Sequence, residues 1–180
     1  MSAENTDARN LKWRIAALER LILSVYCLAV SVLIIVGLLT PFLTEHVGED
    51  NETSWSVLNY LFNLPTDADE GPGLLAVAFM IGFIGLTLVS ILILFAFLLP
   101  AARRTLTERW LMIGRVLVAL GVIGAAIVLL FSLSALGTVR TEMGAGSIIL
   151  LVGMLALVPL LTSAARPYIV DATIRPDYMR

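Results

Sequence analysis

Four stretches of this chain carry no charged side chain, and each is long enough to cross a lipid bilayer as a helix. A transmembrane helix needs about 20 consecutive apolar residues, because the hydrocarbon core is about 30 Å thick. The mean hydropathy of +0.94 agrees with such a location. The sequence therefore predicts an all-α integral membrane protein with four transmembrane helices in an antiparallel bundle. The uncharged stretches are Leu21–Thr44, Gly71–Ala102, Val116–Val139 and Met143–Ala165.

The basic residues predict the orientation of these helices. Eleven of the twelve Lys and Arg residues lie before the first span, between the second and third spans, or after the fourth, and only Arg140 lies elsewhere. Short loops rich in Lys and Arg remain on the cytoplasmic side. We therefore expect both termini in the cytoplasm and an acidic first loop outside. Arg supplies all but one of the basic residues, which indicates a high-GC bacterial source. We therefore expect a multi-pass protein of the bacterial plasma (inner) membrane.

These boundaries divide a single domain, residues 1–180, into nine segments. In order they are a cytoplasmic amphipathic lead-in (1–20), the first span (21–43), an exoplasmic loop (44–72), the second span (73–100), a cytoplasmic loop (101–109), the third span (110–138), an exoplasmic turn (139–144), the fourth span (145–165) and a cytoplasmic tail (166–180). Pro159 is expected to kink the fourth span near its inner end.

The lead-in has an apolar stripe at helical spacing, formed by Leu11, Ile15, Leu18 and Ile22. Basic residues surround Trp13 in this segment. They indicate either an anchor for anionic lipid or the ordinary basic flank of a first span with an interfacial tryptophan. We assign Trp13, Trp110 and Arg115 as interface anchors, since Arg115 is close enough to the cytoplasmic surface for its guanidinium to reach water.

The exoplasmic loop contains a mostly apolar segment between two acidic pieces. A Ser start and a Pro stop predict a short helix over residues 54–64. It is too short to cross the membrane, so we expect it to lie in the outer interface. Its apolar face, with Trp55, Leu58 and Phe62, is either a lid on the protein's own helices or a docking surface for another subunit or for lipid.

Small residues four apart favour close helix contact in membranes. Ala78 and Gly82 have this spacing in the second span, and Gly121 and Ala125 have it in the third. Gly153 and Gly146 lie seven apart in the fourth span. These faces are expected either to close the bundle on itself or to meet a partner's helix. Gly82, Gly121, Ala125 and Gly153 are therefore candidate contacts for a partner or for lipid, together with Trp55, Leu58 and Phe62.

The residues that the spans lack exclude several functions for the chain acting alone. No Asp, Glu, Lys, Arg or His lies within the four uncharged stretches, whereas transporters and proton pumps use such groups at depth. Cys27 is the only cysteine and His46 the only histidine, too few for a thiol pair or paired haem ligands. We expect no enzyme activity, cofactor or metal site, and no nucleic-acid partner. The hydroxyls at depth can bond to their own helices.

The predicted topology, with cytoplasmic termini and a larger first outer loop containing Trp55, resembles that of the claudin-like four-helix membrane proteins. That family also carries a cysteine pair in this loop, and residues 45–70 contain no cysteine. The resemblance implies the topology alone.

Apolar spans without an active group, small-residue faces and an outer amphipathic segment together favour one function. The chain is expected to be a non-catalytic accessory or structural subunit of a larger membrane complex, such as a lipid transporter or a respiratory assembly. Its partners would be other integral membrane subunits and membrane lipids. The alternative is a stand-alone or oligomeric protein that binds a lipid or another apolar ligand in a groove gated by residues 54–64.

Overall fold

The computed structural model of the protein describes residues 3–46, 52–62, 74–103, 106–135, 141–162, 165 and 169, and for 3–13, 74–76 and 135 the backbone alone. The elements are helical except for three short strands. In chain order they are α1 (Ala3–Leu39), β1 (Leu43–His46), β2 (Glu52–Trp55), α2 (Val57–Phe62), α3 (Leu74–Leu92), a π-helical turn (Ile93–Leu98), α4 (Leu99–Ala102), α5 (Glu108–Ala135), β3 (Thr141–Met143), α6 (Gly146–Leu155) and a 3-10 turn (Val158–Leu161).

Three of the expected membrane-crossing helices are confirmed as long apolar helices. They run over Arg14–Leu39, Val77–Ala102 and Glu108–Ser134. The fourth apolar segment, Gly146–Leu161, is shorter and is not one continuous α-helix. Pro159 has no N–H to donate to the carbonyl of Leu155, where α6 ends. The sequence predicted a kink at this proline, whereas in the structure the α-helix ends four residues before it and a 3-10 turn follows over Val158–Leu161.

The apolar helices pack as antiparallel neighbours, and glycines mark their closest approaches. α6 lies along the outer half of α1, where Gly37 touches the backbone of Leu150. α5 lies along α3 and the π-helical turn, with Gly124 beside Leu86 and Gly114 beneath the ring of Phe97. Close approach lets many atoms touch at once, which is how helices associate where lipid is as apolar as the side chains.

A wide helical turn precedes Pro100 in the second apolar helix. The N–H of Leu99 donates to the carbonyl of Leu94, five residues back. Proline lacks an N–H and its ring clashes with the carbonyl four residues earlier, so the bonding pattern shifts locally. The extra residue in this turn brings two consecutive side chains, Phe97 and Leu98, into the core.

The prediction of an all-α fold is wrong, because three segments that connect the helices are β-strands. The chain after α1 and the expected turn between α5 and α6 form a three-stranded antiparallel sheet, in the order β2-β1-β3. Leu43 pairs with Trp55 on one side and with Met143 on the other. The strands are three or four residues long. Pairing between them gives hydrogen-bond partners to the backbone N–H and C=O groups of these non-helical segments.

The short helix of the outer loop exists, but it is shorter than residues 54–64. Ser54 and Trp55 belong to β2, and α2 covers Val57–Phe62. The hydroxyl of Ser56 accepts a hydrogen bond from the backbone N–H of Asn59 at 3.0 Å. Ser56 is therefore the N-cap of the helix. Ser54 and Trp55, which precede it, pair with β1 instead of joining the helix.

Candidate functional site

The residues that the sequence singled out as contacts divide into an inward and an outward group. Trp55 and Leu58 are partly buried against the protein's own core. Gly121, Ala125 and Gly153 are buried between helices. Phe62 and Gly82 face outward. Only the outward group is available to a partner.

The inward face of the outer segments forms an aromatic cluster over the helix ends. Tyr60 of α2 stacks edge-on against Phe83 of α3, with ring centres 4.9 Å apart, and against Trp55 at 5.7 Å. The indole N–H of Trp55 donates to the carboxylate of Glu45 at 3.3 Å. Of the predicted apolar face, Trp55 and Leu58 pack against the protein's own core, as a lid would, whereas Phe62 does not.

Burial, and to a smaller extent the charge of Glu45, raises the pKa of the Tyr60 phenol above its ordinary value. Desolvation disfavours the phenolate, so this side chain is neutral at physiological pH. It serves the cluster as a packed ring and carries no charge there.

The small residues of α5 and α6 pack against neighbouring helices of the bundle. A methyl group added at Gly121 would lie 2.8 Å from the sulfur of Met154, and one at Gly153 would lie 3.2 Å from Ile34. Ala125 is fully buried. The sequence missed two further packing glycines, Gly37 and Gly114, because neither has a small residue four positions away.

The second span presents its small residues outward. A methyl group added at Gly82 or Gly85 would meet no atom of the described residues within 4 Å. Ala78 is also exposed. The sheet and α2 together form a cap at one end of the helices, called the outer cap. On it, Phe62 at the end of α2 is 82% exposed. Phe62 and the Gly82 flank of α3 are thus both exposed, and the flank has room for close backbone approach.

The predicted interface anchors Trp110 and Arg115 lie in the first turns of α5. Trp110 lies in the first turn of α5 and is about half exposed. Arg115, one turn further on, donates from Nη2 to the carbonyl of Leu161 at 3.3 Å. The side chain of Trp13 lies outside the described residues.

Side chains from neighbouring helices satisfy carbonyls where helices end. Ser24 of α1 donates to the carbonyl of Ala102 at 3.2 Å, and the hydroxyl of Tyr26 donates to that of Ala156 at 2.5 Å. The last four carbonyls of a helix accept no hydrogen bond from within that helix. In the hydrocarbon core there is no water to donate one instead. These bonds let α4 and α6 end against α1.

Removing the Tyr26 hydroxyl is expected to weaken the bundle. Tyr26→Phe leaves the carbonyl of Ala156 without this donor, which should lower the free energy of unfolding by about 1–3 kcal/mol. The matched control is Ser31→Ala, because the Ser31 hydroxyl bonds within its own helix, to Cys27 at 2.7 Å. Denaturant unfolding in mixed micelles measures both. Equal losses in the two variants would contradict this role for Tyr26.

The other hydroxyls at depth mostly bond to their own helices, as the sequence led us to expect. Ser90 donates to Leu86 and Ser132 to Val128, both at 2.8 Å. The hydroxyls of Thr87 and Ser147 are buried without a hydrogen-bond partner among the described residues. Cys27 is a free thiol that is buried in the core.

The three-stranded sheet gathers the ionisable groups of the described residues between α1 and α2 and between α5 and α6. His46 on β1 has Nδ1 at 3.3 Å from Glu52 on β2 and Nε2 at 3.5 Å from Glu142 on β3. The imidazole therefore lies between carboxylates of both neighbouring strands and forms ion pairs with them whenever it is protonated.

Within the described part of the chain, no group of three His, Cys, Asp or Glu side chains could hold a metal ion. The outward group of residues is suited to apolar contact, with no acid, base or nucleophile among its members. No protein-family model, curated protein or solved structure matches the chain.

Proposed function

We propose that this protein is a non-catalytic accessory or structural subunit of a larger multisubunit membrane complex, with a lipid transporter or a respiratory assembly as the host. The observation that carries the proposal is the exposure of Phe62 on α2 and of Gly82 on α3. An aromatic ring that is 82% exposed at the outer cap and a glycine flank open to a neighbouring helix match what subunit contacts in membranes use.

The proposed topology has four spans with both termini in the cytoplasm of a bacterial cell. Gly146 lies against Thr40 at the outer end of α1, and Leu161 reaches Arg115 near the inner end of α5. The segment between them thus runs the depth of the bundle although α6 itself is short. In this topology the sheet and α2 lie on the exoplasmic side, with α2 at the outer interface.

The filled interior supports a subunit over a carrier of lipid. Large side chains at the centre are fully buried, including Ile34, Ile93, Phe97 and Met154. Tyr60 also holds α2 down against Phe83, whereas a gate would have to leave that position. A lipid- or apolar-ligand-binding protein remains the alternative outcome of the experiment below.

The test is affinity purification of the tagged chain from its own membranes in mild detergent, followed by mass spectrometry and native sizing. A stoichiometric set of other membrane proteins is expected. If the chain is recovered with no other protein, or only with copies of itself and bound lipid, the proposed function is wrong.

Variants of the outward group should separate partner loss from misfolding. Phe62→Ala combined with Gly82→Leu is expected to abolish co-purification. The unfolding midpoint should stay nearly unchanged, because both positions are exposed and neither contributes to the packed core. Gly121→Leu is the contrasting variant. Its side chain would collide with Met154, so we expect it to lose the fold and the partners together. Unchanged co-purification with the first variant would show that these positions are not the contact.

A further inference from the structure

An apolar stripe runs along the outward side of α1 from Ile15 to Leu39. Outward-facing side chains in it are roughly half exposed, and they continue from the membrane-crossing part into the lead-in. They follow one another at alternating spacings of three and four residues. The exposed members are Ile15, Leu18, Ile22, Val25, Ala29, Val32, Val36 and Leu39, and Leu11 continues the spacing toward the N-terminus.

This spacing is a heptad repeat. Ile15, Ile22, Ala29 and Val36 occupy the a positions, while Leu18 and Leu11 begin the d positions. A strict seven-residue repeat keeps a stripe facing a partner helix as the two wind around each other. In the lead-in, Ile at a and Leu at d is the combination that favours two parallel strands.

Lipid cannot cover the whole stripe. From Leu11 to Leu39 the stripe covers 29 residues of α1 and is therefore about 43 Å long, whereas the hydrocarbon core is about 30 Å thick. The uncharged part begins at Leu21. Ile15 and Leu18 lie beyond it, on the same continuous helix, with about half of each side chain exposed.

The charges beside the stripe complement a second copy of the same helix. In a parallel pair, each g position faces the e position five residues later on the other strand. The heptad places Arg14 at g and Glu19 at e, and one heptad earlier it places Asp7 at g and Lys12 at e. Both pairings join opposite charges. Glu19 also interacts within its own chain.

We propose that α1 forms a parallel, two-stranded coiled coil with α1 of a second copy of this chain, through the stripe from Leu11 to Leu39. Two copies inserted with the same orientation in one membrane have their first helices parallel, as the charge pairs require. The inference does not depend on the proposed function, because two copies can pair inside a larger complex or without one.

Disulfide crosslinking in native membranes tests the proposal. In a Cys27→Ala background, Leu18→Cys is compared with Ala17→Cys, an exposed position outside the stripe. Oxidation with copper phenanthroline should convert several-fold more of the Leu18→Cys chain to a species of twice the monomer mass. Ile15→Cys should behave like Leu18→Cys. Equal yields at residues 17 and 18, no dimer at residues 15 and 18, or crosslinks only to other proteins would overturn it.

Charge exchange tests the pairing itself in the Leu18→Cys chain. Arg14→Glu alone should reduce the crosslinked fraction several-fold, and Arg14→Glu combined with Glu19→Arg should restore it. Failure of the double variant to restore crosslinking would overturn the assigned register. Arg9, Lys12 and Arg20 remain in both variants, so the basic flank that sets orientation is kept. Mass spectrometry of the crosslinked species separates this outcome from that of the affinity purification, which reports other proteins.

Discussion

Replacing Gly37 by alanine is expected to push α1 away from α6. The new methyl carbon would lie 2.6 Å from the backbone nitrogen and Cα of Leu150. A backbone cannot rotate aside as a side chain can, so the two helices must separate along their contact. Overpacking of this kind costs about 1–3 kcal/mol and occasionally more, and we expect Gly37→Ala to fall at or above the upper end. Denaturant unfolding in mixed micelles measures the loss.

Gly82→Ala is the matched control for Gly37→Ala. Both glycines lie within apolar helices, Gly37 in the last turn of α1 and Gly82 near the middle of α3, but a methyl group at Gly82 meets no described atom within 4 Å. Alanine is favoured over glycine in a helix by about 1 kcal/mol, so the control should be neutral or slightly stabilising. A Gly37→Ala protein as stable as Gly82→Ala would show that α1 and α6 are not in backbone contact.

Replacing Phe42 by alanine is expected to have the second large effect. Phe42 is 1% exposed, and its ring centre lies 5.5 Å from that of Phe83 and 6.1 Å from that of Phe131. The ring therefore joins the start of the sheet to two helices. Truncating a buried phenylalanine to alanine typically costs about 3–5 kcal/mol, because the cavity fills only in part.

Phe62→Ala removes the same number of atoms from an exposed site. Surface substitutions usually change stability by less than about 0.5 kcal/mol, so the isolated protein should unfold almost as before. The two phenylalanines are thus expected to differ in kind, with Phe42 needed for the fold and Phe62 for a partner. Comparable destabilisation by the two variants would contradict the packing described for the outer cap.

The long apolar helices could be predicted because hydropathy is a property of each segment alone. The spacing of small residues was a weaker guide. It found Gly121 and Gly153, which pack inside, and it gave equal weight to Gly82, which faces outward. Spacing does not say which side of a helix meets the bundle. Gly37 and Gly114 lack a small neighbour at that spacing, so only the positions of the facing helices reveal them.

The sheet could not be predicted, for a different reason. Its strands have three or four residues, too few for an alternating pattern to stand out. β1 also pairs with β3, from a distant part of the sequence. Ser54 and Ser56 were equally good starts for the short helix by residue type. The pairing of Thr44 with Ser54 leaves Ser56 as the cap, and that choice depends on the tertiary fold.

The strand order β2-β1-β3 also constrains when the protein can finish folding during synthesis. β1 and β2 are close in sequence and can form a hairpin as soon as both have emerged. β3 is made only after α5, so one edge of β1 waits unpaired while the intervening helices are inserted. Pairings between distant segments form late because a long loop must close first. The outer cap is therefore completed only when β3 has been made, after α5. Until then β1 has an open edge that can pair with another chain, and a product arrested before Thr141 would keep that edge.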